Sequence, residues 1–267
     1  MSFLDLPPRS VKPRSAGLTH VLDRGLSVAA VDGLVEVAGP YIDIVKLGWG
    51  TAVVTDNLHA KLDRYRAHGI PVVLGGTLTE VALSQKRTDG LVAWLRELGL
   101  GHVEISDGTI ALPRAEKLAL ITELAADGFV VFSEVGSKDA EEIMAPYRWV
   151  EQIEAELGAG AWKVVAEARE TGTAGIYRPD GEVRMGLIDE IAHAIDIDRV
   201  LFEAPRKDQQ VWFLRRFGSE VNLGNIAPDD VLSLETLRLG LRADTLERFA
   251  LGDLGSGEHG PKDRVGD

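Results

Sequence analysis

Charged side chains recur directly after short apolar runs in this chain of 267 residues. The stretch FVVFSEVGSK, Phe129 to Lys138, places Glu134 and Lys138 after a run typical of a buried strand, and Lys46 and Glu203 end similar runs. Ionisable groups in such places cost free energy unless they are paired or used. Carboxylates beside ammonium groups indicate acid–base chemistry or the binding of a divalent cation.

The elements that carry these groups alternate regularly along the chain. The period of the apolar positions switches between two, which favours strands, and 3.6, which favours helices. The first predicted strand is Gly17 to Asp23, the eighth is Val221 to Ile226, and one long helix is expected from Glu80 to Leu98. Eight strand–helix units in a chain close to the usual barrel length predict an α/β fold, a single (β/α)8 TIM barrel. An open doubly wound sheet usually has fewer strands, and no GxGxxG fingerprint for a dinucleotide occurs.

Composition at the two ends predicts three segments. Residues 1–15 are rich in proline and basic groups and predict an extended N-terminal arm. Residues 16–250 form the predicted barrel domain. Residues 251–267 are rich in glycine and charge and predict a flexible C-terminal tail.

In a barrel the carboxyl ends of all strands meet at one face, where barrel enzymes place their chemistry. Four glutamates and two aspartates are expected there, and they could not all ionise unaided. Cations must therefore share the site, and a divalent metal is expected there beside the cations of the protein. Oxygen ligands in a chain without cysteine favour Mg²⁺ over Zn²⁺. The predicted strand ends contribute Asp23, Lys46, Thr77, Glu104, Ser106, Asp107, Glu134, Lys138, Glu167, Arg169, Glu203, Asn222 and Asn225.

Several of these features have two interpretations on pattern alone. The segment Gly75-Gly76-Thr77 is either a tight turn with a capping threonine or a cradle of backbone N–H groups for an anion. Lys12-Pro13-Arg14 is by default a solvated arm. Arg206-Lys207 lies in a favoured phosphate region of barrels, yet a basic pair opening a helix is often only surface. Trp49, in a Gly-Trp-Gly turn, is a candidate wall of the pocket.

Composition restricts the partners and the compartment. The chain has 29 Lys and Arg against 42 Asp and Glu, a formal charge of -13, so no basic field is available to hold nucleic acid. The absence of cysteine fits a reducing compartment. No apolar run approaches a membrane span of roughly 20 residues, and the start lacks a signal peptide's apolar segment. We therefore expect a cytoplasmic protein without a nucleic-acid or membrane partner.

Eight blocks in order carry a resemblance to a known family. They are KPR (12–14), VKLGWGT (45–51), GGTLTE (75–80), EISDG (104–108), SEVGSK (133–138), EARETG (167–172), EAPRKDQQVWF (203–213) and VNLGNI (221–226) with LETLRLGLRADT after it. The sequence resembles the phosphosulfolactate synthase family, including its plant heat-stress-associated relatives, over about residues 12 to 245. The resemblance implies a (β/α)8 barrel, Mg²⁺ dependence, and addition of sulfite to phosphoenolpyruvate to give (2R)-phosphosulfolactate in coenzyme M biosynthesis.

The resemblance and the strand ends together predict residue roles. Lys138 is the predicted proton donor, Glu134 either orients it or helps to hold the metal, and Lys46 completes the predicted catalytic set. The predicted metal ligands are Glu104, Asp107, Glu167 and Glu203. The predicted substrate-binding residues are Lys12, Arg14, Gly75, Gly76, Thr77, Ser106, Arg169, Lys207, Asn222 and Asn225.

Two other functions stay open at this point. One is a related barrel enzyme that adds a different nucleophile to phosphoenolpyruvate or a similar phosphorylated enol acid. The other is a non-catalytic, stress-protective barrel, although such a protein would gain nothing from keeping buried charges together. Assembly into a homo-oligomer is expected only as a general habit of such barrels.

Overall fold

Eight parallel strands form the wall of a nearly closed barrel, which confirms the predicted single (β/α)8 fold. The computed structural model describes residues 3–136 and 144–249. Neighbouring strands pair in parallel in the order β3-β2-β1-β8-β7-β6-β5-β4. The strands are β1 (Thr19–Asp23), β2 (Ile44–Leu47), β3 (Val72–Leu74), β4 (His102–Ile105), β5 (Val130–Val135), β6 (Lys163–Ala166), β7 (Val200–Glu203) and β8 (Leu223–Ile226).

Helices surround the strands because each buries one apolar stripe against the outer face of the sheet. In α5, for example, Ile121 and Leu124 are buried on one side. The α-helices are α1 (Val28–Ala38), α2 (Leu58–Ala67), α3 (Gly76–Ser84), α4 (Thr88–Glu97), α5 (Arg114–Ala126), α6 (Pro146–Gly158), α7 (Met185–Ala194), α8 (Lys207–Phe217), α9 (Val231–Arg238) and α10 (Leu246–Phe249). Short 3₁₀ helices cover Gly39–Tyr41, Thr51–Val54, Ile197–Arg199 and Pro228–Asp230.

The inside of the barrel is apolar at the level of the middle of the strands. One buried cluster there consists of Leu18, Ile44, Val73, Phe132, Val165 and Leu201. Along each strand the next inward residue towards the carboxyl end is often charged, as with Ile44 and then Lys46. The interior is therefore a packed floor beneath a polar mouth.

β3 and β4 are the two ends of the pairing order, so no strand ladder within the described residues joins them. The gap between them, here called the seam, is instead spanned by hydrogen bonds from the start of α3. The Gly76 N–H of α3 donates to Glu104 Oε1 at 2.6 Å, and Thr79 Oγ1 donates to the Glu104 carbonyl at 2.7 Å. The start of α3 therefore fixes β4 to the barrel.

The expected long helix from Glu80 to Leu98 is wrong in one respect, because the structure has two helices there. α3 ends at Ser84 and α4 begins at Thr88. Between them Lys86 has a φ of 55°, in the left-handed region that helices do not use. Apolar spacing alone does not record such a break.

The amino-terminal segment packs across the amino ends of the strands. Arg9 forms ion pairs with Glu220 at 3.0 Å and Glu235 at 3.1 Å. Lys163, at the start of β6, donates to the Ser15 carbonyl at 2.7 Å. Residues 3–18 contain no helix or strand, and the predicted tail 251–267 lies outside the described residues. Within 3–136 and 144–249, no helix is long and apolar enough to cross a bilayer.

Candidate active site

The carboxyl ends of the strands open into a cavity of about 280 Å³. Its walls combine acidic, basic and glycine residues with the Trp49 ring, as the Gly-Trp-Gly turn suggested. The lining residues are Leu22, Lys46, Gly48, Trp49, Gly75, Gly76, Thr77, Glu104, Thr109, Glu134, Glu167, Arg169, Glu170, Glu203 and Asn225. The structure therefore brings many of the predicted site residues together at one mouth.

Lys46 lies at the centre of a buried group of carboxylates. Its Nζ is 3.0 Å from Glu203 Oε1 and 3.3 Å from Glu104 Oε2. The other oxygens of these carboxylates accept backbone hydrogen bonds, Glu104 Oε1 from Gly76 and Glu203 Oε2 from the Ala168 N–H at 3.0 Å. Each carboxylate is therefore held on both sides.

Burial and mutual repulsion shift the pKa values in this group. Burial raises the pKa of Glu104 to about 7, although Lys46 lowers it, and the Glu134 carboxylate raises it further. Burial likewise raises the pKa of Glu203. Burial lowers the pKa of Lys46, but the surrounding glutamates raise it by more, so the net shift is upward. Lys46 is therefore a permanent cation at neutral pH, and the acidic groups exceed what it can neutralise.

Three residues that line the cavity have left-handed backbone conformations. Trp49, Arg169 and Asn225 have φ values of 54°, 58° and 55°. Non-glycine residues adopt this region at a cost, and such residues cluster at functional sites. Among the described residues, the Oδ1 of Asn225 has no hydrogen-bond partner, although its side chain is buried. Its amide is therefore available to a bound molecule.

The two glycines before Thr77 are needed for close packing at the mouth. A Cβ on Gly76 would stand 2.5 Å from Ser106 Cβ and 3.1 Å from Glu104 Oε1. A Cβ on Gly75 would stand 3.1 Å from the backbone nitrogen of Trp49. Gly75 is the N-cap of α3, so Thr77 is not the capping residue. The Gly76 N–H is bonded to Glu104, which leaves the anion-cradle interpretation to the later N–H groups.

The described basic groups that line the cavity are Lys46 and Arg169. Arg169 is exposed, and its backbone N–H donates to Glu167 Oε1 at 2.6 Å. This turn directs the guanidinium and the Glu167 carboxylate to the same mouth, as predicted from their position after β6. Lys138, the predicted proton donor, lies outside the described residues.

Three predicted substrate-binding residues lie at the opposite end of the barrel, which corrects their expected position at the mouth. Lys12 donates to the Gly39 carbonyl at 3.2 Å, and Arg14 pairs with Asp43 at 3.0 Å. Asn222 donates to the Val200 carbonyl at 3.0 Å. The reason is directional, because residues before a strand lie at its amino end, and β8 begins only after Asn222.

Three further predicted residues lie near the mouth but do not line the cavity. Ser106 Oγ donates to Glu80 Oε1 at 2.5 Å. The expected metal ligand Asp107 instead pairs with Lys117 at 2.8 Å. The expected substrate ligand Lys207 is on the surface, 2.7 Å from Asp244. A basic pair opening a helix is here a surface feature.

The carboxylates fit Mg²⁺ in their chemistry, because hard oxygen donors exceed the available positive charge. Within 3–136 and 144–249, no three His, Asp or Glu side chains are arranged to hold a metal. Mg²⁺ is commonly bound through one or two carboxylates, with substrate oxygens and waters completing the shell. All four strand-end glutamates line the cavity, but Glu104 and Glu203 are paired with Lys46, so Glu134 and Glu167 are the two that could serve in this way.

Buried charged residues on the helices were missed by reasoning from strand ends. Lys117 occupies the buried stripe of α5 with Ile121 and Leu124, and Glu156 occupies that of α6. The detectable signal was a charged residue at the spacing of an apolar stripe. Strand ends show which groups face the mouth, but not which groups hold the strand ends from behind.

Comparison with known proteins agrees with the resemblance in the sequence. A model of the (2R)-phospho-3-sulfolactate synthase (ComA) family matches residues 7–244. The chain belongs to this family. It is 43% identical over 245 residues to the phosphosulfolactate synthase of Bacillus subtilis, covering 91% of this chain and 97% of that one. It is 44% identical over 234 residues to the phosphosulfolactate synthase of Methanocaldococcus jannaschii, covering 86% and 93%.

More distant similarities extend to other barrels. The chain is 22% identical over 268 residues to the Arabidopsis thaliana protein HEAT-STRESS-ASSOCIATED 32, covering 89% of this chain and 91% of that protein. The YdjI aldolase of Escherichia coli K12 superposes with a TM-score of 0.55 at 12% identity, covering 84% and 82% of the chains. That structural likeness concerns the fold alone. Membership of the phosphosulfolactate synthase family identifies the chain as an enzyme, and the charged cavity is its candidate active site.

Proposed function

We propose that this enzyme catalyses the Mg²⁺-dependent addition of sulfite to phosphoenolpyruvate to give (2R)-phosphosulfolactate. The observation that carries the proposal is the buried Lys46 among Glu104, Glu134 and Glu203 at the mouth of a barrel of this family. Such a group is costly to bury unless it works on a charged reactant. Phosphoenolpyruvate and sulfite are both anions.

Binding needs local positive charge in an acidic protein. The Arg169 guanidinium is exposed at the mouth and suits a phosphate or carboxylate, because its N–H groups can bind two oxygens at once. The Asn225 amide lies at the same cavity and can hydrogen-bond a polar substrate group. Both are proposed to orient phosphoenolpyruvate over the floor of the barrel.

The reaction has two steps. The sulfur lone pair of sulfite attacks the methylene carbon of phosphoenolpyruvate, forming the carbon–sulfur bond, and the double-bond electrons move towards the carboxylate as an enediolate. The carbon bearing the phosphate then takes a proton on one face, which sets the configuration. Mg²⁺, when bound, would supply positive charge beside the substrate carboxylate, where negative charge develops.

The residues of the chain divide this work. Lys46 remains charged and fixed between two carboxylates, so we propose that it stabilises developing negative charge rather than transferring a proton. Lys138 is proposed as the proton donor. Glu134 is proposed to orient Lys138 or to hold Mg²⁺ together with Glu167.

The direct test is product formation by the purified protein. With Mg²⁺, phosphoenolpyruvate and sulfite, mass spectrometry should detect phosphosulfolactate, and chelation of Mg²⁺ should stop its formation until Mg²⁺ is restored. A folded protein that makes no product with sulfite, but consumes phosphoenolpyruvate with another nucleophile, would favour the alternative reaction. An unchanged rate in chelator would remove Mg²⁺ from the mechanism.

We also propose that the enzyme works in the cytoplasm on small anionic substrates and belongs to a coenzyme M route, without a nucleic-acid or membrane partner. The absence of cysteine and the acidic charge support the compartment and the lack of nucleic-acid binding. A homo-oligomer is proposed from the general habit of such barrels. Light scattering of the purified protein measures its mass, and a monomer at micromolar concentration would reject assembly.

A further inference from the structure

Lys117 forms a buried polar cluster on the outer side of the barrel wall. It lies on α5, and its side chain is 3% exposed. Its Nζ is 2.8 Å from Asp107 Oδ1 and 2.9 Å from Glu156 Oε1, and it donates to the Glu134 carbonyl at 2.7 Å. An ammonium group has three N–H donors, so these three partners use all of them.

The contact with the Glu134 carbonyl acts on the end of β5. The side chain of Glu134 lines the cavity on the inner side of the wall, while its carbonyl is held from the outer side. Gly136 follows with a φ of 134°, and a Cβ there would stand 2.7 Å from the Trp149 ring and 2.8 Å from Glu167 Cβ. The backbone is therefore tightly confined at Gly136, directly after β5.

The contact with Asp107 connects β5 to β4. Asp107 follows β4 by two residues, and β4 carries Glu104 into the Lys46 group. Strand pairing holds β4 to β5, whereas the seam towards β3 depends on the contacts of α3. Lys117 therefore fastens together the two strands that place Glu104 and Glu134 at the mouth.

Stability alone does not explain this cluster. Burying one ammonium with two carboxylates has a large desolvation cost, and apolar side chains of similar volume often serve a fold as well. Burial raises the pKa of Glu156, although Lys117 lowers it, which reflects that cost. What the ammonium provides, and an apolar group does not, is a directed hydrogen bond to one carbonyl.

We propose that Lys117 is a positioning residue, which places the Glu134 carboxylate in the cavity and sets where the chain leaves β5. Its effect on rate rests on the proposed function. Its effect on the position of Glu134 does not, so the two can be tested separately.

The main test is a charge-neutral variant that combines Lys117→Met, Asp107→Asn and Glu156→Gln, so that no buried charge is left alone. Crystal structures of the variant and the wild type should show the Glu134 carboxylate displaced by about 1 Å, a shift that can cost 10²-fold in rate. Product formation should show kcat lowered about 100-fold, with the KM for phosphoenolpyruvate within about threefold because the phosphate contacts are intact.

A matched control has another buried ion pair, at the amino end of the barrel and away from the cavity. Arg9 Nε lies 3.1 Å from Glu235 Oε1, and the double variant Arg9→Met, Glu235→Gln removes this pair. Its thermal unfolding temperature should fall about as much as that of the triple variant, while kcat stays within about threefold of wild type. An equal loss of kcat in the control would mean that any loosening of the barrel lowers the rate.

A second variant, Lys117→Arg, is expected to fold because it keeps a cation between the two carboxylates. The planar guanidinium cannot hydrogen-bond to all three partners of the ammonium group at once. We therefore expect a displaced Glu134 and a loss of kcat of roughly three- to tenfold. The proposal is overturned if Glu134 keeps its place in the neutral variant, or if either variant displaces it without lowering kcat. A wild type that forms no product rejects the proposed function, while the crystal comparison still decides the positioning.

Discussion

The substitution Glu104→Gln tests the charge balance around Lys46 through the pH dependence of stability. Burial raises the pKa of Glu104 from 4.5 to about 7. Between these values the folded state binds more protons than the unfolded state. The free energy of unfolding contributed by this group is therefore present at low pH and is lost as pH rises towards 7.

The magnitude follows from the pKa difference. A difference of about 2.5 units at about 1.36 kcal/mol per unit gives about 3 kcal/mol. Gln keeps the acceptor for the Gly76 N–H but cannot titrate. The Gln amide interacts less favourably with Lys46 than a carboxylate does. This lowers the free energy of unfolding by a constant amount and does not change its slope against pH. Between pH 4.5 and 8 the free energy of unfolding of the wild type should therefore fall by about 3 kcal/mol more than that of the variant. This corresponds to a difference of about 6–12 °C in the fall of Tm.

Urea and thermal unfolding at several pH values measure this difference. The buffers should contain a chelator, so that no divalent cation neutralises the carboxylates. Glu97, exposed on α4, supplies the control substitution Glu97→Gln, whose curve should run parallel to that of the wild type. If the Glu104→Gln curve also runs parallel to the wild type, Glu104 does not carry the excess charge and the reasoning about Lys46 fails.

Four other substitutions test separate parts of the site. Lys138→Ala should abolish product formation while calorimetry shows Tm near that of the wild type; a variant that unfolds would make the lysine structural. Gly76→Ala should lower the free energy of unfolding in urea by about 1–3 kcal/mol, because its Cβ would stand 2.5 Å from Ser106 Cβ, and unchanged stability would contradict this packing. Asp107→Asn should leave the Mg²⁺ concentration for half-maximal rate unchanged, whereas Glu167→Gln should raise it; the reverse result would restore Asp107 as a ligand.

The barrel and its inward carboxylates were predictable because both depend on local patterns. Two-residue alternation buries Ile44 and then turns Lys46 to the same inner face, and parallel strands bring such residues to one edge. Glu104 and Glu203 follow the same rule on β4 and β7. Because the strand ends meet at one face, the proximity of these carboxylates to Lys46 was predictable, but the distances between them were not.

Residues were predicted at the wrong end of the barrel where their position depends on where a strand begins. Asn222 and Asn225 are only three positions apart, yet the first lies before β8 and the second lines the cavity. Lys12 and Arg14 precede β1, and their chemistry suits an anion equally well at either end of the barrel. Only the direction of the neighbouring strand places them at the amino end of the barrel. There Arg14 pairs with the Asp43 carboxylate, and Lys12 donates to the Gly39 carbonyl.

The charge of the cavity leads to a last prediction about the order of binding. The described ionisable groups that line it are Lys46 and Arg169 against Glu104, Glu134, Glu167, Glu170 and Glu203. Phosphoenolpyruvate is itself an anion, so it should be repelled unless a cation enters with it. Because coupling between two ligands is reciprocal, Mg²⁺ should tighten phosphoenolpyruvate binding as much as phosphoenolpyruvate tightens Mg²⁺ binding.

Isothermal titration calorimetry without sulfite measures this coupling. The Kd for phosphoenolpyruvate should rise at least about tenfold when Mg²⁺ is replaced by potassium at equal ionic strength, a coupling of about 1.4 kcal/mol. Glu167→Gln removes one carboxylate from the cavity, so it should weaken Mg²⁺ binding and at the same time improve the Mg²⁺-free binding of phosphoenolpyruvate. Equal affinities with and without Mg²⁺ would mean that Arg169, Lys46 and the rest of the chain already neutralise the substrate, and that the excess of buried carboxylates serves some purpose other than holding the metal.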